Sequence, residues 1–208
     1  RAAAIGALGE LAPASEQNAI LDWAAAATDD TEQTKALRAL VNVTLRNPSV
    51  ADRGRPVYAV IESAQADVAL RLLPALARIG GSVSAECAAR LASGTDAKLA
   101  KAAVDALGRW TDSSALSALA TVAGRAATPA LRDAARDSAV RTLARTREAW
   151  TAATTSLVSR LLATTTNAGP RRQLVALLAR ANEATALKAA EGLQSDQALA
   201  ADACYAAA

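Results

Sequence analysis

The residues whose type and spacing could do chemistry are arginines that recur once in every 31 to 36 residues. Four of them form the series Arg78, Arg109, Arg145 and Arg180. A guanidinium keeps its positive charge at all physiological pH values, and its five N–H donors match the geometry of a carboxylate or a phosphate. The chemistry that this series could perform is therefore recognition of anions rather than bond cleavage.

Each arginine stands two positions after a leucine in a short phrase that the chain repeats six times. The anchor leucines are Leu8, Leu40, Leu76, Leu107, Leu143 and Leu178, separated by 32, 36, 31, 36 and 35 residues. A period in this range is typical of stacked helical hairpins, each of which buries its apolar face only against its neighbours. A residue two positions further along a helix lies about 200° round from the leucine. The arginines should therefore point away from the core.

The elements that would position these residues are helices throughout. We term the first helix of each hairpin A and the second helix B. Apolar residues at three- and four-residue spacing predict B helices near 2–11, 31–46, 66–79, 96–110, 129–146, 170–181 and 195–207. They predict A helices near 15–27, 56–64, 83–93, 113–124, 149–165 and 183–192. No segment alternates apolar and polar residues as a strand would. We therefore expect an all-α fold, a right-handed α-solenoid of about six hairpins.

The hairpins form one solenoid segment over residues 1–208. A half-repeat at 1–11 precedes repeats near 15–46, 49–79, 82–110, 113–146, 149–181 and 183–208. Neither end carries the polar face that is typical of a terminal repeat. The expectation from this pattern is an excerpt of a longer protein.

Positive charge is concentrated in the middle of the chain. Residues 98–180 hold thirteen Lys and Arg against five Asp and Glu, whereas the whole chain has a net charge of only +3. The B-helix face that carries the arginine series should also carry Arg38, Arg71, Lys98 and Arg141. Two roles are open for these side chains. They bind an acidic partner, or they meet the free carbonyls and the dipole at helix C-termini and pair with carboxylates of the neighbouring repeat.

A long loop interrupts the repeat pattern over residues 47–55, ahead of Pro56. Either it is a tolerated insertion, or it is a binding loop on a rigid scaffold with Arg53, Arg55 and Tyr58 as contact residues. Tyr is common at protein interfaces.

Residues with side-chain acceptors should cap the B helices: Thr31, Asp67, Thr95, Thr128 and Ser195. We expect Asp112 to cap an A helix. Cys87 and Cys204 are expected to be small core residues about three repeats apart, too distant for a disulfide. Trp110 and Trp150 are expected to pack in the core or against turns.

Composition excludes several kinds of function. The chain contains no His, Phe or Met, three Trp and two Tyr. Without His, the Ser-His-Asp and Cys-His arrangements are impossible within this chain, and no metal-ligand spacing is recognisable. We therefore predict no catalysis, no cofactor and no metal. No run of about 18 apolar residues exists, so membrane insertion is not expected, and no signal peptide is visible.

The phrase Ala-Val-Asp-Ala-Leu-Gly-Arg-Trp-Thr-Asp-Ser-Ser-Ala-Leu at 103–116 resembles the junction between helix B and the next helix A of HEAT repeats, which belong to the armadillo-like α-solenoids. Residues 72–81 and 4–11 resemble the same phrase. This resemblance implies a protein-interaction scaffold. Residues 99–208 also resemble the HEAT-type regions of modular bacterial extracytoplasmic proteins, which carry sugar-active or haem-binding modules. That likeness implies an extracytoplasmic location.

The function predicted from the sequence is thus a non-catalytic scaffold that binds a protein through a partly basic concave surface lined by B helices, with an acidic protein as the candidate partner. A first alternative is binding of nucleic acid or another polyanion through residues 98–180, including the chemistry of the HEAT-like alkyl-base DNA glycosylases. A second alternative is an accessory repeat region of a larger sugar-active or redox protein of bacteria. The sequence does not indicate an oligomeric state.

Overall fold

The chain is all-helical over the residues that its structure describes. A computed structural model describes residues 2–50, 52–146, 151–165, 167–178, 184–192, 200 and 203–204. The first six helices are α1 (Ala2–Leu11), α2 (Gln17–Ala26, preceded by a 3₁₀ turn over Ala14–Glu16), α3 (Asp30–Leu45), α4 (Arg55–Ser63), α5 (Ala66–Ile79) and α6 (Ser82–Ala92). The next six are α7 (Ala97–Gly108), α8 (Ala115–Arg125), α9 (Pro129–Arg145), α10 (Ala152–Thr164), α11 (Ala168–Leu178) and α12 (Ala184–Gly192).

Odd-numbered helices coincide with the predicted B helices, and even-numbered helices with the predicted A helices. The boundaries agree to within three residues, and the range of α5 is the one predicted. The helix predicted near 195–207 lies almost wholly outside the described residues. Helix α4 begins at Arg55 with Pro56 at an early position, where its missing N–H costs no hydrogen bond.

Helices contact each other in two series. Each odd helix from α1 to α11 packs against the next odd one, and each even helix from α4 to α12 against the next even one. The two members of each hairpin, such as α8 and α9, also contact each other. All the helix pairs with substantial contact lie within three elements of each other in chain order. The apolar core therefore runs along the chain between the two series.

The anchor leucines confirm this core, with one exception. Leu40, Leu76, Leu107, Leu143 and Leu178 are all buried. The expectation was wrong for Leu8, which is 45% exposed, as is its neighbour Leu11 at 83%. Among the described helices, α3 is the only one with which α1 makes extensive contact. No described even-numbered helix packs extensively against α1, and Leu8 and Leu11 therefore face solvent.

Two of the helices that the sequence predicted to be capped by threonine are capped by a nearby aspartate. Thr128 is confirmed as the cap of α9, with its side chain accepting from the Leu131 amide at 3.3 Å. Thr31 and Thr95 were wrong, because Asp29 caps α3 and Asp96 caps α7. An ionised carboxylate is a stronger acceptor for a backbone N–H than a hydroxyl.

Two further cap predictions concern α5 and the end of the chain. Asp67 lies inside the first turn of α5 and does not cap it. Ser195 is outside the described residues. Thr151, which was not predicted, caps α10.

Candidate functional site

The arginine series lies near the C-terminal ends of successive odd helices. Arg78 is the penultimate residue of α5, Arg109 follows the last residue of α7, and Arg145 ends α9. All three side chains are exposed. Because α5 contacts α7 and α7 contacts α9, the three residues follow one another along a single face. The fourth member of the series, Arg180, lies outside the described residues.

Arg78 and Arg109 line the same groove between α5 and α7. The groove has a volume of about 320 Å³, and its other lining residues include Pro74, Ala77, Ala102 and Ala106. Within the described part of the chain, neither guanidinium makes a hydrogen bond or an ion pair. Two permanent charges therefore face solvent beside a mainly apolar lining.

One carboxylate, Asp105, also lines this groove. Its Oδ2 atom lies 3.6 Å from the Nζ atom of Lys101, one turn away on the same helix. Both side chains are largely exposed, so the pair is weak. Within the described residues, the ion pair of Asp105 is with Lys101, and no carboxylate pairs with Arg78 or Arg109.

Arg145 is held by the helix before its own in the odd series. Its Nη2 atom donates to the carbonyl oxygens of Trp110 at 3.0 Å and Gly108 at 3.4 Å. These carbonyls belong to the C-terminal end of α7, which carries a partial negative charge that a guanidinium stabilises. The contact brings Arg145 next to the segment that bears Arg109. Nη1 and Nε of Arg145 make no hydrogen bond within the described residues.

Similar grooves lie between other neighbouring odd helices. The groove between α1 and α3 has a volume of about 300 Å³ and carries mixed charge, with Glu10, Lys35 and Arg38 in its lining. Asn42 Nδ2 donates to Glu10 Oε1 at 3.3 Å across it. The groove between α9 and α11, of about 560 Å³, contains arginines but no acidic residue. Polarity on this face therefore changes from mixed to cationic along the chain.

The remaining basic residues of the predicted surface differ in their surroundings. Arg38 and Lys98 are exposed, on α3 and α7. Arg141 lies in the groove between α9 and α11, and its Nη2 donates to Ser138 Oγ at 3.0 Å. Arg71 is only a quarter exposed, because it pairs with Asp67 at 3.1 Å and donates to the Ala25 carbonyl at 3.0 Å. The structure thus brings together Arg78, Arg109 and Arg145, and binds Arg71 into the junction between α2 and α5.

The three residues predicted as contacts of the loop have different surroundings. Arg55 forms an exposed ion pair with Asp52 at 3.0 Å. Arg53 is half-buried, and its carbonyl accepts from Gln17 Nε2 at 3.0 Å, which ties the loop to α2. Tyr58 lies on α4 and is packed against the core.

A cluster that the sequence did not predict joins α4 to α6. Arg90 Nη2 donates to the hydroxyl of Tyr58 and to Glu62 Oε1, both at 2.8 Å, and its guanidinium lies 5.3 Å from the centroid of the tyrosine ring. Hydrogen bonding with Tyr58, and then with Arg90, lowers the pKa of Glu62. Hydrogen bonding with Glu62 and burial raise the pKa of Tyr58. Only stacking of the two helices brings these residues together, since Arg90 is 28 residues from Glu62.

Neither cysteine forms a disulfide, as predicted. Cys87 is buried, and that burial raises the pKa of its thiol to about 11. Cys204 was expected in the core but is exposed. At neutral pH, a thiol with the pKa of Cys87 is almost entirely protonated and is a poor nucleophile.

Asp112 links two hairpins, whereas the sequence predicted a helix cap. Ser114 is the cap residue of α8. The carboxylate of Asp112 accepts from the backbone N–H of Gly81 at 3.0 Å and from that of Ser114 at 2.8 Å. Both carboxylate oxygens of Asp112 therefore accept hydrogen bonds from backbone N–H groups.

Trp110 is confirmed as a core residue. It is 1% exposed, and its Nε1 donates to Ser114 Oγ at 3.1 Å. Trp23 is half-buried and donates to Glu32 Oε1 at 2.9 Å, and Trp150 is outside the described residues. A buried indole cannot stack on a nucleic-acid base, so Trp110 is not available for base stacking.

The described residues contain no group of three or more His, Cys, Asp or Glu side chains able to hold a metal ion. They also contain no helix that is long and apolar enough to cross a membrane.

Comparison of the sequence with protein-family models gives no match. Comparison with curated proteins gives none either. The function of the surface therefore has to be inferred from its own residues.

Proposed function

We propose that this chain is a non-catalytic interaction scaffold that binds an acidic protein partner through the face formed by its odd helices. In this proposal the helices form a right-handed α-solenoid of about six HEAT-like hairpins, and each hairpin is one layer of the stack. Support comes from the order of the helix contacts, which link near neighbours along the chain. Such an array presents the same helix position once per layer.

The observation that carries the proposal is the pair Arg78 and Arg109. Two exposed guanidiniums from adjacent layers line one groove and have no partner within the described residues. A guanidinium that serves only the fold would pair with a carboxylate and a carbonyl, as that of Arg71 does. Charged side chains that converge on a groove without a partner are typical of a recognition surface.

The partner we infer is a protein rather than a nucleic acid. Non-specific binding of nucleic acid needs phosphate-neutralising cations and is strengthened by accessible aromatic side chains. The basic segment 98–180 supplies the cations, but Trp110 is buried and Trp23 is hydrogen-bonded. Binding of a polyanion through 98–180 is the second candidate.

The test is direct binding of a fluorescent oligoglutamate peptide, compared with a duplex DNA of equal charge. We expect the peptide to bind, and we expect the double variant Arg78→Ala/Arg109→Ala to weaken that binding about tenfold. The matched control is Arg125→Ala, which removes one exposed charge from the even series. A double variant that binds the peptide as tightly as the wild type would contradict the proposal. Preference for DNA with a steep salt dependence would favour the second candidate.

A further inference from the structure

We propose that the acidic partner binds as an extended polyproline-II segment, with a carboxylate at every third residue facing Arg78, Arg109 and Arg145 in turn. This inference rests on the proposed function, because it assigns the ligand of the same surface. It adds a conformation and a sequence spacing to a charge preference. The three arginines stand on three consecutive odd helices, each packed against the next.

The spacing of the arginines selects the conformation of the ligand. Helices in direct contact lie about 8–10 Å apart, so equivalent positions on successive odd helices recur at about that interval along this face. A polyproline-II chain has three residues per turn and rises about 9 Å in that turn, which returns side chains i and i+3 to the same side. A β-strand returns its side chains after about 7 Å, and an α-helix after about 6 Å for a spacing of four residues. Polyproline II is thus the extended form whose repeat matches the layers.

The groove between α5 and α7 also fits the spacer residues of such a chain. Beside the two arginines and Asp105, its lining is apolar, with Leu70, Leu73, Pro74, Ala77, Ala102 and Ala106. The alanines let a ligand backbone approach closely, and the whole lining offers apolar contact to proline or alanine between the carboxylates. Repulsion between the carboxylates of the ligand favours an extended chain before it binds.

The three arginines differ in how many of their guanidinium donors are free to bind this ligand. Arg145 has its Nη2 atom fixed by the carbonyls of Gly108 and Trp110, which leaves Nη1 and Nε for a carboxylate. Arg78 and Arg109 keep all their donors available within the described residues. A guanidinium and a carboxylate can form two parallel hydrogen bonds, which is a geometry that lysine cannot provide.

The experiment compares three peptides of equal charge by isothermal titration calorimetry. The first repeats Glu-Pro-Ala, so that glutamates recur at every third residue. The second places glutamates at every second residue, and the third is a helix former with glutamates at every seventh residue, a spacing of about 10 Å along an α-helix. We expect the first peptide to bind about tenfold more tightly than the other two. The variant Arg78→Ala/Arg109→Ala should remove this preference, whereas Arg125→Ala should keep it.

Other outcomes separate the two proposals. Equal affinity for all three peptides would refute the three-residue spacing of the ligand carboxylates. It would remain consistent with binding of an acidic partner. Tighter binding of the seven-residue design would replace the extended ligand with a helical one. If no peptide binds at low salt, both the proposed function and the proposed three-residue spacing of the ligand carboxylates are refuted. Circular dichroism and thermal unfolding of each variant verify that a loss of binding does not come from a loss of fold.

Discussion

The guanidinium of Arg145 donates a hydrogen bond to the carbonyl oxygen of Trp110, 3.0 Å away and 35 residues earlier in the chain. Arg46 makes the same kind of contact with the end of α1, where its guanidinium reaches the carbonyls of Gly9, Glu10 and Ala12. In both places, an arginine at the end of one odd helix satisfies backbone acceptors at the end of the previous one. Neighbouring odd helices are thus joined through their termini as well as through their apolar faces.

Replacement of Arg145 by alanine should lower the free energy of unfolding by about 1 kcal/mol. It removes charge-assisted bonds to carbonyls that have no helical partner. Urea denaturation measures the change. The matched control is Arg109→Ala, which loses no hydrogen bond within the described residues and should shift stability by less than about 0.5 kcal/mol. Equal losses in the two variants would contradict a stabilising role for the Arg145 contact.

Replacement of Gly80 by alanine should cost about 2 kcal/mol or more. Gly80 has φ 77° and ψ −162°, a region that side-chain-bearing residues rarely adopt. A Cβ atom there would also overlap the Asp112 carboxylate, which binds the Gly81 amide. The contrasting variant is Gly124→Ala in α8, where a Cβ atom meets nothing within 4 Å. It should stabilise the protein by up to about 1 kcal/mol, and both changes are measurable by thermal unfolding.

Glu62 should contribute stability that depends on pH. Its folded-state pKa lies below the ordinary value of 4.5, so its contribution is present above that value and is lost as the pH falls through the folded pKa. Tyr58 acts at the other end of the pH range. Its raised pKa means that its contribution is present below pH 10.0 and is lost as the pH rises through the folded pKa.

The variant Glu62→Gln should therefore flatten the acid limb of a plot of unfolding free energy against pH. Tyr58→Phe should flatten the alkaline limb and leave Arg90 with Glu62 alone. Titration by NMR gives a direct readout. A Glu62 carboxyl that titrates at or above 4.5 in the folded protein would show that the cluster does not form.

The two thiols should differ in reactivity. At pH 8, iodoacetamide should label Cys204, which is exposed, and leave Cys87 unmodified, because its thiol is buried with a pKa of about 11. In denaturant both thiols should react at similar rates. Mass spectrometry of tryptic peptides identifies the labelled position, and rapid labelling of Cys87 in the native state would contradict its place in the core.

Replacement of Asp105 by asparagine should strengthen binding of the Glu-Pro-Ala peptide, by roughly two- to fivefold at low salt. The change removes the one acidic group from the groove that contains Arg78 and Arg109. Calorimetry at low and at physiological salt would show the gain shrinking as ions screen the charges. The control is Asp133→Asn on α9, whose carboxylate lies outside this groove and pairs with Arg136 at 2.6 Å. No gain from Asp105→Asn would place the ligand elsewhere.

Local pattern predicted the helices well, because the information for a helix lies within three or four residues. Apolar spacing located α5 over 66–79 and brought each other described helix to within three residues of its observed bounds. It also identified five leucines that are buried. The same local reasoning failed at Thr31 and Thr95, where a nearby aspartate is the better acceptor and shifts the start of the helix.

What the sequence determined by itself is the all-helical class, the alternation of the two helix series and the recurrence of arginine every 31 to 36 residues, since all three follow from period and composition. Tertiary structure alone decided which arginines are hydrogen-bonded. Arg145 donates to carbonyls at the end of α7, and Arg71 donates to a carbonyl at the end of α2. Arg78 and Arg109 have no partner within the described residues. It also decided that Leu8 stays exposed and that Tyr58, Glu62 and Arg90 meet. The physical reason is distance along the chain. These partners are 28 to 46 residues apart, and only the packing of one helix against the next sets where their side chains lie.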